Sequence, residues 1–63
     1  MNYKQRLLQE YAELIEKTTR LKVYIEEQEE DLHNSPDPLL YKQFDSMTSY
    51  QSVLHERLEK ALG

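Results

Sequence analysis

Three cations and two hydroxyls stand close together in the segment Lys17-Thr18-Thr19-Arg20-Leu21-Lys22. An ammonium, a hydroxyl and a forked guanidinium are hydrogen-bond donors that suit a phosphate group. The first chemistry that the sequence suggests is therefore the binding of a phosphorylated ligand. Lys17, Thr19 and Arg20 are the candidate residues.

The same cations also have a purely structural interpretation, which the sequence leaves open. Glu13 precedes Lys17 by four residues, and Glu16 precedes Arg20 by four. This spacing forms favourable ion pairs on any solvated helix. On spacing alone the structural interpretation is the commoner one, and the acidic run that follows at 26–31 is best interpreted as a solvated face.

The five tyrosines of this short chain are a second set of candidate residues. Their rings could stack on nucleobases, or they could be amphipathic interface residues. Tyr11 and Tyr50 lie at or near apolar helical seams, which favours packing. Tyr3 lies near the start of the chain and is less constrained.

The sequence offers no support for catalysis or for metal binding. It has no cysteine, and its two histidines, His33 and His55, are far apart. A thiolate site is therefore impossible and a structural zinc site is not expected. There is no glycine-rich phosphate loop and no nucleophile elbow. We predict a non-enzymatic protein with no cofactor, no metal and no catalytic residue.

The charge balance narrows the range of partners. The net charge of −4 argues against long nucleic acid, which needs many cationic phosphate contacts. No apolar run approaches the roughly 20 residues that span a bilayer, so no membrane contact is expected. A cytoplasmic location is the resulting expectation.

Two helices separated by one break would position these residues. We predict helices over 3–32 and 37–62, joined by a loop over 33–36, within a single domain over 1–63. Asn2 and Gln5 fit a capping box, and Ser35 with Pro36 fits the start of the second helix. Gly63 can close that helix. A heptad seam is indicated by apolar residues that alternate in steps of four and three, with gaps at Thr18, Gln28 and Gln51: Leu7, Tyr11, Leu14, Leu21, Ile25 and Leu32, then Leu40, Phe44, Met47, Leu54, Leu58 and Ala61.

The short connection predicts an antiparallel hairpin. A register that places Leu32 beside Leu40 puts Arg57 opposite Ile15, about one turn from Lys17. Arg57 therefore joins the candidate phosphate cluster. A chain of 63 residues buries little apolar surface alone, and further apolar residues, among them Leu8, lie outside the seam. We predict an all-α hairpin that assembles into a homo-oligomeric helical bundle.

The ordered pattern across both helices resembles a known family, the small phage anti-CBASS cyclic-nucleotide sponges, whose helical hairpin is shared with anti-Thoeris sponges. The residues that carry the resemblance are Tyr11-Ala12-Glu13-Leu14, Lys17, Arg20-Leu21, Tyr24-Ile25, Leu39-Leu40, Gln43, Met47, Tyr50, Leu54 and Arg57-Leu58. The resemblance implies a helical homohexamer that sequesters cyclic oligonucleotide signals without degrading them. It also implies action in the cytoplasm of an infected bacterial host, where the sponge blocks CBASS effector activation.

The resemblance further implies two kinds of ligand site. Cyclic dinucleotides of the cGAMP type would be held between protomers by Lys17, Thr19 and an aromatic near the N-terminus, for which Tyr3 is the first choice and Tyr11 the second. Cyclic trinucleotides would be held near a three-fold axis by Arg57. The alternative is a structural or partner-binding hairpin, such as an assembly adaptor or a protein inhibitor, with no nucleotide ligand.

Overall fold

A computed structural model describes residues 2–33 and 35–63, which form two helices. Helix α1 spans Tyr3–Glu30 and helix α2 spans Pro38–Leu62. They pack against each other as an antiparallel hairpin, a rod measuring 48 × 17 × 14 Å. The all-helical hairpin predicted from the heptad pattern is thus confirmed. In the described ranges, neither helix is long and apolar enough to cross a membrane.

The N-terminus of α1 is held by the predicted capping box. The Asn2 side chain accepts a hydrogen bond from the Gln5 backbone N–H at 2.8 Å. The Asn2 backbone N–H donates to the Gln5 side-chain oxygen at 3.2 Å. Two amide groups that a helix start leaves without intrahelical partners are satisfied in this way.

The C-terminus of α1 lies at Glu30, two residues before the predicted end at Leu32. Asp31 has extended backbone angles, and its carboxylate accepts a hydrogen bond from the His33 N–H at 2.9 Å. This local turn competes with helix continuation, as aspartate side chains often do. The prediction that Leu32 lies on the seam is wrong, because the turn leaves Leu32 96% exposed.

Helix α2 begins at Pro38, and its N-cap is Asp37, whose side chain accepts from the Leu39 N–H at 2.9 Å. The prediction that Ser35 caps the helix, with Pro36 at its first position, is wrong. A helix begun at Pro36 would require helical angles at Asp37, and a following proline disfavours those angles. The other end is as predicted, because the Gly63 N–H donates to the Glu59 carbonyl at 2.8 Å.

The core is a narrow strip along the predicted seam. Leu54 is fully buried, and it packs with Leu7 and Leu58. Partly buried seam residues, among them Tyr11 and Leu14, close over this cluster. The predicted seam of α1 is buried or half-buried from Leu7 to Gln28, so the heptad spacing identified the inner face.

The register of the two helices differs from the predicted one. The connection between the helices spans 31–37. The centre of this range lies about two positions earlier in the chain than the point midway between Leu32 and Leu40, on which the predicted register is based. Residues of α1 therefore lie beside residues earlier in α2 than predicted, by two positions at Glu29 and by six at Tyr11. Accordingly, Tyr41 contacts Glu29, and the His55 ring contacts Tyr11.

Candidate functional site

Lys17 and Arg20, the two cations proposed for phosphate binding on α1, have different surroundings. Arg20 forms the expected ion pair with Glu16. Lys17 is exposed and forms no ion pair with any residue that the structure describes. Its expected partner, Glu13, instead accepts a hydrogen bond from Gln9 at 3.2 Å. Lys17 therefore keeps a free ammonium group, whereas the charge of Arg20 is partly neutralised.

Lys17 and Thr19 do not form a common site within one protomer. Both side chains are exposed. Residues two positions apart on a helix project roughly 160° from each other, so the two side chains leave opposite faces of α1. A ligand that contacts both residue types must take them from two copies of the chain.

Arg57 lies at the open end of the hairpin and contacts Tyr3, the first residue of α1. Its guanidinium donates a hydrogen bond to the Tyr3 hydroxyl at 3.2 Å, and its Cζ lies 6.0 Å from the ring centroid. This hydrogen bond is the main reason why the pKa of Arg57 is raised. Tyr3 is 14 residues from Lys17, about 21 Å along α1. The predicted single cluster of Lys17, Thr19, Arg20 and Arg57 is therefore not formed within one chain, because the helix register differs.

Tyr11 and Thr18 belong to the seam. The half-buried Tyr11 ring lies 5.9 Å from the His55 imidazole, at an angle of 46°. Thr18 is buried, and its hydroxyl donates to the Leu14 carbonyl one turn earlier at 2.7 Å. Tyr11 is thus the less accessible of the two candidate stacking residues, and the Thr18 hydroxyl is satisfied within its own helix.

Two further tyrosines connect the helices along their flanks. The Tyr41 hydroxyl donates to Glu29 at 3.0 Å, and the Tyr50 hydroxyl donates to Glu10. In each case this hydrogen bond is the largest cause of a raised tyrosine pKa, because it holds the proton on the phenol beside a carboxylate. Neither hydroxyl is free for a ligand while its bond persists.

Tyr24 is a candidate that the sequence analysis gave no role. It is about half exposed, and within the described chain its ring and hydroxyl have no partner. Tyr24 lies seven residues after Lys17 and four after Arg20, so the three residues form one continuous row on α1. We name this row the cationic face. The spacing of three and four residues between Lys17, Arg20 and Tyr24 is the signal in the sequence that identifies this row.

Two open grooves between the helices each contain more carboxylates than lysine or arginine side chains, which disfavours a phosphate. One, of about 230 Å³, is lined by Ile25, Phe44 and Tyr41 with Lys22, Glu26 and Glu29. The other, of about 330 Å³, is lined by Tyr11, Gln51, Ser52, His55 and Glu56. Carboxylates in both grooves would repel a phosphate. Among residues 2–33 and 35–63, no group of three side chains is arranged to hold a metal ion.

The fold and these side chains define a class, that of small all-α hairpins with exposed cations and tyrosines on an open face. A comparison with family models identifies the family to which the chain belongs. A model described as Sequestin matches residues 1–60, and the chain belongs to the Sequestin family, whose name denotes sequestration. Comparisons with curated proteins and with solved structures gave no match.

Proposed function

We propose that the protein sequesters cyclic di- and trinucleotides between copies of its chain and does not cleave them. In this role it would act for a phage in the cytoplasm of an infected bacterium, keeping the signals from CBASS effectors. Membership of the Sequestin family supports sequestration as the activity. The observation that carries the choice of ligand is the unpaired ammonium of Lys17, in one row with Arg20 and Tyr24.

The separation of these groups favours a pocket shared between protomers. Lys17 and Thr19 leave opposite faces of α1, and the grooves within one hairpin contain carboxylates. A cyclic dinucleotide has two phosphates and two bases, so a symmetric pair of protomers could supply each contact twice. A homohexamer, as the family resemblance implies, would contain several such pairs. A base would stack on Tyr24 or on Tyr3, and a phosphate would bind Lys17.

Calorimetric titration with cyclic di- and trinucleotides tests the proposal. A charge-assisted hydrogen bond contributes about 1.5–3 kcal/mol, and a symmetric pocket loses two of them in this variant, so Lys17→Ala should weaken dinucleotide binding roughly hundredfold to ten-thousandfold. Lys42→Ala removes another exposed lysine, on α2, and should leave the affinity unchanged. Absence of heat with every cyclic nucleotide at micromolar protein would refute the proposal.

Two additional measurements define the mechanism and the second ligand class. Denaturing the complex should release the nucleotide intact, whereas a linear product would indicate an enzyme. Arg57→Ala should weaken trinucleotides selectively. An equal loss for dinucleotides would show that Arg57 belongs to one common site.

A partner-binding hairpin is the second candidate function. Large apolar side chains such as Leu39, Val53 and Leu62 are about half exposed or more, and a different protein could cover them. Light scattering separates the candidates. A uniform hexamer favours the sponge, whereas a monomer that binds no nucleotide favours the adaptor.

A further inference from the structure

An apolar stripe runs along the side of α1 that faces away from α2 and from the cationic face. It consists of Leu8, Ala12, Ile15, Thr19 and Val23, and we name it the outer stripe. All five residues are exposed, and Leu8 and Val23 each expose 47% of their surface. The spacing of four, three, four and four residues is that of a second helical contact face. An exposed apolar stripe of this kind usually marks a surface that another molecule covers.

Large and small residues follow one another along the outer stripe in nearly the same order from its N-terminal end as from its C-terminal end. Leu8 and Val23 are equally distant from its centre, as are Ala12 and Thr19, while Ile15 lies beside the centre. An isologous contact repeats each pairing twice about a two-fold axis. An antiparallel pair of α1 helices would thus place Leu8 on Val23, Ala12 on Thr19, and the two copies of Ile15 together.

The charges of α1 run against its own dipole. The first turn contains no acidic residue and the last turn no basic one, while Lys4 and Arg6 lie near the N-terminus and Glu26, Glu27, Glu29 and Glu30 near the C-terminus. Each of these side chains has the same sign of charge as the helix end beside it, so each placement is unfavourable. Lys60 and Glu59 of α2 lie at the same end of the rod and have opposite charges. A helix that violates a local rule so consistently is expected to have compensation elsewhere.

We propose that a second copy of this chain occupies the outer stripe, with its α1 antiparallel to the first. Lys4, one turn before Leu8, then lies near Glu26 of the other copy, three residues beyond Val23, and the two helix dipoles oppose. A parallel pair would instead set like charges together at both ends. The inference rests on the self-association in the proposed function, but it requires no nucleotide.

Single thiols test the pairing, because the chain contains no cysteine. Leu8→Cys and Val23→Cys are prepared separately, checked for helicity by circular dichroism, mixed and oxidised. The antiparallel pair predicts that the mixed disulfide exceeds both homodisulfides severalfold. Dominant homodisulfides would overturn it in favour of a parallel pair. A statistical mixture from an intact oligomer would show that another surface covers the stripe. A monomer by light scattering would refute self-association itself.

Cross-linking of the unaltered protein gives an independent readout. Lys4 and Glu26 are 22 residues apart on α1, about 33 Å, so a zero-length carbodiimide link between them must join two copies. An equimolar mixture of ¹⁵N-labelled and unlabelled protein should yield mixed-label peptides that join Lys4 to Glu26 or Glu27. High salt should reduce this link severalfold. Links from Lys4 only to carboxylates of α2 would contradict the proposal.

Discussion

The contrast between Leu54 and Leu32 provides the most direct test of the fold. The heptad pattern assigns both leucines to the seam, but the structure buries Leu54 completely and leaves Leu32 96% exposed. Replacing a fully buried leucine with alanine costs about 2–5 kcal/mol, since it removes apolar contacts and leaves a cavity. The same change at an exposed position usually alters stability by less than about 0.5 kcal/mol. We expect Leu54→Ala to be strongly destabilising and Leu32→Ala to be nearly neutral.

Urea unfolding followed by circular dichroism measures both variants. Each variant is compared with the parent at several protein concentrations, because the proposed self-association would make the midpoint depend on concentration. If Leu32 lies in a contact between copies, its loss will lower the midpoint most at high concentration. Equal destabilisation of the two variants at every concentration would refute the position of the α1 C-terminus. A loss below about 1 kcal/mol for Leu54→Ala would refute the assigned core.

The remaining predictions concern the cap of α2 and the tyrosine hydroxyls. Asp37→Ala should destabilise the fold by about 1 kcal/mol, because it removes the N-cap of α2. Ser35→Ala should have little effect on the urea midpoint. If Ser35→Ala were the more destabilising of the two, Ser35 would be the cap. The pKa values of Tyr41 and Tyr50 are raised in the folded state above the ordinary value of 10.0. Their stabilising hydrogen bonds are therefore fully present below pH 10 and are lost as the pH rises through the raised pKa values. Tyrosinate absorbance should show a late-titrating fraction that Tyr41→Phe reduces, and an unchanged titration in that variant would contradict the bond to Glu29.

The periodic part of the structure could be predicted from the sequence, because burial repeats with the helix. Leu7, Ile25, Leu54 and Leu58 are all on the predicted seam and all buried. The capping box at the start of α1 could also be predicted, since its two residues are local in sequence.

The connection and the flanks could not be predicted as well. Asp31 ends α1 through a side-chain hydrogen bond that competes closely with one more helical turn, and the resulting error in the register changes every partner across the helices. The contact of Arg57 with Tyr3 depends on that register and on two long side chains. The contacts of a single chain carry no information about a site formed between copies, as proposed for this protein, so the sequence predicts only which residue types such a site would use.

The Thr18 hydroxyl bonded within its own helix has a consequence for how such hairpins can vary in length. Among the residues described, the hydrogen bonds that cross between helices join exposed side chains on the flanks and none crosses the seam itself. The polar seam residues Thr18, Gln28 and Gln51 therefore make no hydrogen bond in the described part of the chain that would fix one heptad of α1 against one heptad of α2. Inserting seven residues into each helix at the same level would lengthen the rod by about 10 Å and preserve its packing. Chains of this design can therefore grow or shrink by whole heptads while keeping both ends intact.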